Sequence, residues 1–182
     1  MRNSLLFLIK ALTDLYLLTY LLRFILQWIR ADFYNPLAQF IVKATNPLIV
    51  PARRFIPSAG GVDIPTLVVL IILEALVTWL LLRVAGTGAL PVGTFALFVL
   101  LRLVTLTLWF YSVSILIYVI LSWIGQRSYN PIGHILGELN EPILRPFRRA
   151  LPPIGGLDLS PLLALILIQA VLMAIPLPGF LR

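Results

Sequence analysis

The sequence predicts an all-α membrane protein with four transmembrane helices, arranged as two tandem parallel repeats of span, interfacial amphipathic loop and span. Three observations predict this fold class: the composition, a long motif that occurs twice, and an apolar run on each side of each copy. Of the 182 residues, 60% are hydrophobic and only 12% are charged. Such a composition is typical of an integral membrane protein and not of a water-soluble domain.

The duplicated motif occupies residues 28–63 and 123–158, which align without a gap at a constant offset of 95 residues. Self-similarity of this kind indicates that one structural unit is present twice. The matched positions are mostly tryptophan, asparagine, proline, glycine and aspartate, which a shared apolar composition does not explain. They are Trp28, Asn35, Pro36, Pro47, Pro51, Pro57, Gly60, Gly61 and Asp63 in the first copy, and Trp123, Asn130, Pro131, Pro142, Pro146, Pro152, Gly155, Gly156 and Asp158 in the second.

The apolar runs define the spans of each repeat, since a helix needs about 20 apolar residues to cross a bilayer. The run that begins at residue 94 is too long for one straight crossing, so its first residues are predicted to be an interfacial lead-in. Two crossings per repeat make the two copies parallel. Repeat 1 comprises residues 1–93, with spans 5–29 and 64–82 around loop 30–63; repeat 2 comprises residues 94–182, with spans 100–124 and 159–175 around loop 125–158.

Each loop is predicted to begin with a short amphipathic helix, because Asn-Pro suits an N-cap followed by the first helical residue. Pro47 and Pro142 are predicted to end these helices or to begin the next short one, and the arginine pairs then lie on one or two further interfacial turns. Asp63 and Asp158 are predicted N-caps of the spans that follow. Apolar residues follow the Asn-Pro pairs with helical spacing, at 37, 40, 41 and 44 and at 132, 135, 136 and 139.

The basic residues of the loops are the candidate binding groups. Arg53, Arg54, Arg148 and Arg149 form two pairs that can bind phosphate or a carboxylate of a partner, or simply anchor the loops at anionic head groups. The excess of arginine in the loops predicts that they are cytoplasmic and that both termini lie outside, in the inner (plasma) membrane of a bacterium. The expected partners are anionic lipids and either a membrane protein or further copies of the chain; nucleic acid is not expected.

Five polar residues inside the predicted spans are candidates for a role there, because such residues are costly in a membrane unless paired. Glu74 lies near the middle of the second span, and its repeat counterpart is Gln169. These two residues either face a central pathway or partner helix, or Glu74 is a structural group that is protonated or paired with Arg23. Lys10 and Asp14 are four residues apart and are predicted to form a pair on one helix face.

The residue inventory does not predict an enzyme. The chain has no cysteine, which excludes disulfides and thiolate ligands, and its one histidine, His134, has no second histidine or cysteine with which to hold a metal. No nucleophile–base pair, phosphate-binding loop or acid–base dyad is recognisable. No cofactor is predicted.

The doubled pattern, from tryptophan and Asn-Pro through the arginine pair to Gly-Gly-x-Asp, resembles the YggT family, also called YlmG-like, over essentially the whole chain. Pro65 is a departure, since the second copy has Ser160 at this position. The resemblance implies a small membrane protein associated with cell division, nucleoid or chloroplast division or osmotic-stress tolerance, or, as in plastid relatives, with maturation of a cytochrome b6 haem. It implies no catalytic residues.

Two functional hypotheses follow. The first is a non-enzymatic membrane scaffold or assembly factor, in which the loops and their arginine pairs form a cytoplasmic platform for lipids and partner proteins. The second is an ion or osmolyte channel or transporter, formed by an oligomer and lined by Glu74 and Gln169.

Overall fold

The computed structural model describes residues 2–31, 35–58, 60–124, 131–150 and 158–182, without the side chains of residues 123, 124, 131 and 132. Every regular element within these ranges is an α-helix, as the composition predicts. In chain order the helices are α1 (Arg2–Trp28), α2 (Pro36–Phe55), α3 (Ile64–Ala85), α4 (Val92–Ile124), α5 (Pro131–Ala150) and α6 (Ser160–Ala174).

The two halves of the chain have the same helix neighbours. In the first half α1 packs against α3, and α2 contacts both; in the second half α4 packs against α6, and α5 contacts both. The halves meet where α4 contacts α3 and α1. This equivalence is what the duplicated motif predicts.

Three of the described helices, α1, α3 and α4, are long and apolar enough to cross a membrane. The fourth predicted span corresponds to α6, which is apolar but has only 15 residues. At a rise of about 1.5 Å per residue it is about 22 Å long, shorter than a hydrocarbon core of about 30 Å. A four-span arrangement therefore stays a prediction.

Helices α2 and α5 correct the prediction that Pro47 and Pro142 end short helices. Each helix is continuous for 20 residues and contains both of its prolines. The fixed φ of proline is helical, and each proline removes only one hydrogen bond from the ladder. In α2 the buried face continues past Pro47, from Ile41 through Thr45 to Ile49, while Pro47 and Pro51 point outward. Packing along this face keeps the helix in one piece.

Helix α4 corrects the prediction of a separate interfacial lead-in before residue 100. It is one helix of 33 residues that already begins at Val92. The chain turns into it from α3 after Gly86, whose φ of 76° lies in the left-handed region that glycine adopts without strain. At the same end of the bundle the segment after α6 folds back, and its Leu177 and Leu181 pack with Leu6 of α1 and Leu81 of α3.

The predicted caps have three different outcomes. Asn35 caps α2 as predicted, because its Oδ1 accepts a hydrogen bond of 2.9 Å from the Leu37 backbone N–H. Asp63 occupies the N-cap position of α3, but its side chain makes no capping bond. Asp158 precedes the N-cap residue of α6, Leu159, and accepts instead from the Ser160 N–H at 2.9 Å. The carboxylates have other cationic partners, described below, which explains both departures.

The remaining motif residues are partly described. Gly60 and Gly61 have φ values of 62° and 80°, in the left-handed region that glycine adopts without strain. Trp28 is exposed at the end of α1 and packs against Phe24, and Pro57 is exposed after α2. The predictions for Asn130, Pro152, Gly155, Gly156 and the side chains of Trp123 and Pro131 lie outside the described residues.

Candidate functional site

A network of charged side chains connects the two halves inside the bundle, with Arg102 of α4 at its centre. The guanidinium donates Nε–H to Glu74 Oε1, Nη2–H to Asp14 Oδ1 at 2.8 Å, and Nη1–H to the Leu181 carbonyl at 2.9 Å. Arg102 is only 4% exposed and Glu74 is fully buried. One cation thus joins α1, α3 and the C-terminal segment to α4.

Two further contacts extend the network to Lys10 and Thr78. Lys10 donates to Asp14 Oδ2 at 2.6 Å, which confirms the predicted i, i+4 pair. The Thr78 hydroxyl donates to Glu74 Oε1 at 3.2 Å. Two cations and two carboxylates therefore neutralise one another, which is the condition under which charges persist away from water.

The structure corrects the proposed pairing of Glu74 with Arg23. Arg23 instead donates Nη1–H to α2, to Thr45 Oγ1 at 2.7 Å, Asn46 Oδ1 at 2.9 Å and the Val42 carbonyl at 3.2 Å. It thereby attaches α1 to the amphipathic helix. The partner of Glu74 is Arg102 of α4.

Gln169 does not join the network of its repeat counterpart. Its amide donates to Ser112 Oγ at 3.4 Å, on the face between α6 and α4. Glu74, in contrast, contacts Arg102 and Thr78. The structure therefore does not bring Glu74 and Gln169 together.

The sequence does contain a signal for the ion pair between Glu74 and Arg102. These residues lie eleven positions before the end of α3 and ten positions after the start of α4, respectively. Two antiparallel helices joined by a short turn place such positions at equal depth. Opposite charges at equal depth in neighbouring spans are expected to pair, because each is costly alone.

Both copies of the motif contain the same ion pair between the first arginine of the pair and the terminal aspartate. Arg53 Nη2 lies 2.8 Å from Asp63 Oδ2, and Arg148 Nε lies 2.9 Å from Asp158 Oδ2. The separation is ten residues in each case. The pair ties the C-terminal end of the amphipathic helix to the start of the following helix, which explains why the arginine and the aspartate recur together.

Each pair has further contacts that differ between the repeats. Asp63 also accepts from Thr66 Oγ1 at 2.6 Å, and Arg148 also contacts Glu141 at 2.6 Å. Burial by itself would raise the pKa of the Asp158 carboxyl, but hydrogen bonding by Ser160 and the ion pair with Arg148 outweigh it and hold that pKa below its ordinary value.

The second arginine of each pair forms no ion pair among the described residues. Arg54 and Arg149 are exposed, and neither has a carboxylate within ion-pair distance among the described residues. The first arginines, Arg53 and Arg148, are occupied inside the chain. The second arginines are therefore the members of the pairs that remain available to a lipid or a partner.

Helix α2 presents an apolar stripe to its surroundings, next to Arg54. Ile41, predicted on this stripe, is instead buried against the protein, while Ala38, Thr45 and Ile49 complete the buried face. The exposed stripe extends further than predicted, to the end of the helix. We define the α2 stripe as Leu37, Phe40, Ala44, Leu48 and Phe55, all exposed.

Helix α5 lacks an equivalent exposed stripe in its described part. Ile135, Leu139 and Leu144 are buried, and the outward residues include His134, Glu141, Arg145 and Arg149. His134 lies 3.7 Å from Glu138 on the same helix. The two amphipathic helices therefore present different surfaces, although the motif is shared.

Within the described ranges no group of three potential metal ligands occurs.

The described helices define the class of protein. Three long apolar helices, a neutralised charge network among them and two amphipathic helices that connect them indicate an integral membrane protein of helical-bundle type. Comparison with known sequences gives the family. The CCB3/YggT family model matches the chain twice, over residues 2–85 and 97–178, and the chain belongs to this family.

Two of the relatives described here match most of the chain, and a third matches less than half of it. An uncharacterized protein of Pseudomonas aeruginosa, PA0392, is 43% identical over 175 residues, which cover 94% of this chain and 87% of the relative. The uncharacterized protein YggT of Escherichia coli K12 is 38% identical over 174 residues, which cover 95% and 89%. The uncharacterized protein ycf19 of Guillardia theta is 32% identical over 82 residues, which cover 44% of this chain and 76% of the relative. No solved structure shows significant similarity.

Proposed function

We propose that the protein is a non-enzymatic membrane scaffold or assembly factor. In this proposal α1, α3, α4 and α6 cross the inner membrane, α2 and α5 lie at its cytoplasmic surface, and both termini are outside. Anionic lipids and a membrane-protein partner, or further copies of the chain, bind at the surface formed by the amphipathic helices. Cell division, membrane-complex biogenesis and osmotic-stress tolerance are the processes that membership of the family suggests for such a scaffold.

The α2 stripe is the observation that supports this proposal. Phe55 is 85% exposed and Phe40 is 65% exposed, and no described part of the chain covers them. Lys43 and Arg54 lie beside the stripe at helical spacing. A helix with an apolar face flanked by cations is suited to the boundary between head groups and acyl chains, and large exposed apolar patches are typical of interaction sites.

The arginine pairs contribute through their second members. Arg53 and Arg148 hold the helices in place through Asp63 and Asp158, so their substitution would disturb the fold of the motif as well as any binding. Arg54 and Arg149 are exposed and their substitution leaves those ion pairs intact. They are the suitable positions at which to test binding.

The proposal is tested by purification in a mild detergent followed by mass identification of co-purifying proteins. The double variant Phe40→Ser, Phe55→Ser and the double variant Arg54→Gln, Arg149→Gln are each expected to reduce recovery of the partner several-fold without changing the melting temperature. The matched control is Ile72→Ser, Leu76→Ser on α3, which removes two side chains of similar exposure. Equal losses in the control, or no partner for the unaltered protein, would contradict the scaffold proposal.

The alternative of a pathway lined by Glu74 and Gln169 has less support. Glu74 is buried and paired with Arg102, whereas Gln169 contacts Ser112 on another face of the bundle. The geometry favours a structural role for Glu74.

A further inference from the structure

A cavity of about 580 Å³ lies between α1, α4, α6 and the C-terminal segment, on the side of the bundle away from α2. Its volume is within the range of about 300–1,000 Å³ that is usual for small-ligand sites. One turn of an α-helix, about 10–12 Å across and about 5.4 Å in pitch, would fill it. It is therefore too small to contain a spanning helix of a partner.

The walls of the cavity are polar at one end and apolar at the other. Lys10, Asp14, Arg102 and Arg182 line one end. Leu18 and Trp109 line the other, together with the amide of Gln169, which donates to Ser112 Oγ. Along α1 the distance from Lys10 to Leu18 is eight residues, or about 12 Å. This direction runs from the end of the bundle with the chain termini toward the interior of the predicted membrane. The polarity therefore changes along the cavity as it does along a lipid molecule.

The polar end has more positive than negative charge. Three cations, Lys10, Arg102 and Arg182, line it together with one carboxylate, Asp14. Asp14 is already bound by both Lys10 and Arg102, so it adds no free negative charge. Glu74, behind the wall, offsets part of the charge of Arg102. With Asp14 and Glu74 set against Lys10 and Arg102, one positive charge remains among these five residues, that of Arg182, and it is complementary to an anionic head group.

The three cations differ in how many N–H donors they have left for a ligand. Arg102 directs its Nε and both Nη groups at Glu74, Asp14 and Leu181, so these donors are used within the protein. Lys10 donates one of its three N–H groups to Asp14. Arg182 donates to the Leu172 carbonyl at the end of α6 and has further N–H donors. Lys10 and Arg182 therefore have donors free, within the described residues, for a ligand.

We propose that this cavity binds one membrane lipid with an anionic head group. Lys10 and Arg182 bind the head group, and an acyl chain lies along Leu15, Leu18 and Trp109. In a bilayer the apolar end of the cavity cannot be filled by water at low cost, whereas an acyl chain fills it without loss of hydrogen bonds. This site is separate from the surface proposed for partner binding.

The experiment is native mass spectrometry of the purified protein in a mild detergent, with phosphatidylglycerol or phosphatidylcholine of the same chain lengths added. We expect one tightly retained phosphatidylglycerol and at least tenfold weaker retention of phosphatidylcholine. The variant Lys10→Gln, Arg182→Gln should lose this preference. The matched control is Arg2→Gln, Arg83→Gln, which removes the same charge outside the cavity lining and should retain the lipid.

A second variant tests whether the cavity must be open, without changing a charge. Ala11 is exposed and lines the cavity, so Ala11→Trp fills the space from the surface and should prevent retention while the melting temperature is maintained. Equal retention of both lipids, equal loss in the two charge variants, or retention by Ala11→Trp would overturn the proposal. So would binding of glycerol 3-phosphate as tightly as the lipid, or a protein dimer in place of the lipid adduct.

Discussion

Replacing Arg102 with glutamine tests whether the buried charge network holds the two halves of the bundle together. The change removes the ion pairs to Glu74 and Asp14 and the hydrogen bond to the Leu181 carbonyl. Asp14 keeps Lys10 as a partner, but Glu74 keeps only Thr78. The variant therefore leaves one buried carboxylate without a cation.

The size of the effect follows from these contacts. Removing one partner of a buried ion pair costs about 3–5 kcal/mol of unfolding free energy, and we expect Arg102→Gln to fall in this range. Glu74→Gln removes a carboxylate and leaves Arg102 paired with Asp14, so we expect about 1.5–3 kcal/mol, the value of one hydrogen bond to a charged group. The double variant should cost about 1–3 kcal/mol less than the sum, because the two residues interact directly.

The assay is reversible unfolding in mixed micelles by added dodecyl sulfate, applied to the unaltered protein, both single variants and the double variant. Arg83→Gln is the control, because the Arg83 guanidinium lies over the Trp79 ring at 5.4 Å, outside the network. It should cost about 0.5–1 kcal/mol, as for an exposed cation–π contact. A cost for Arg102→Gln no greater than this control, or strictly additive single variants, would refute the reasoning.

Two further predictions concern the ends of helices and use the same unfolding assay. Gly86→Ala should cost about 1–2 kcal/mol of unfolding free energy, the strain of a left-handed backbone in an L-residue, because φ is 76° and the added Cβ meets nothing closer than 3.8 Å. The control is Gly88→Ala, where φ is ordinary and the added Cβ lies in open space. Equal effects of the two substitutions would contradict the prediction. Asp158→Asn should destabilise the protein at neutral pH by no more than about 1 kcal/mol, because the ion pair with Arg148 is partly exposed. The pKa of the Asp158 carboxyl is lower in the folded than in the unfolded state, so the stability that this group contributes is present above the ordinary pKa of 3.8 and decreases as the pH falls below it. A difference in unfolding free energy between the unaltered protein and Asp158→Asn that persists at the lowest pH would contradict this.

The sequence predicted the elements that depend on local chemistry and on repetition. Two copies of the motif at a fixed offset implied two equivalent sets of helices, and Asn35 before Pro36 implied the start of α2. The prolines were misleading because proline was interpreted as the end of a helix. Its effect depends on whether the buried face continues beyond it, as it does from Thr45 to Ile49, and no local pattern states where the neighbouring helix will lie.

The site was harder to predict because its residues come from both halves. Lys10 and Asp14 were paired correctly, since they are four residues apart on one helix. The sequence marks Glu74 as costly in a membrane, but the only cation considered as its partner, in one of the alternatives, was Arg23 of the first span. The choice between Arg23 and Arg102 depends on the depth of each residue and on which face of α1 packs against α2. The Arg53–Asp63 pair was missed although both residues belong to the motif, because a cap was a sufficient local explanation for the aspartate.

The Arg102 contacts also show that the duplicated halves have become dissimilar partners. The positions equivalent to Glu74 and Arg102 in the opposite repeats are Gln169 and Phe7, so the first half supplies the acids and the second supplies the base. If the gene were split between α3 and α4, each fragment would be expected to associate with the other and not with itself, because two first halves would lack this base and two second halves would lack its acids. The network therefore requires one copy of each half, and the two halves are not interchangeable.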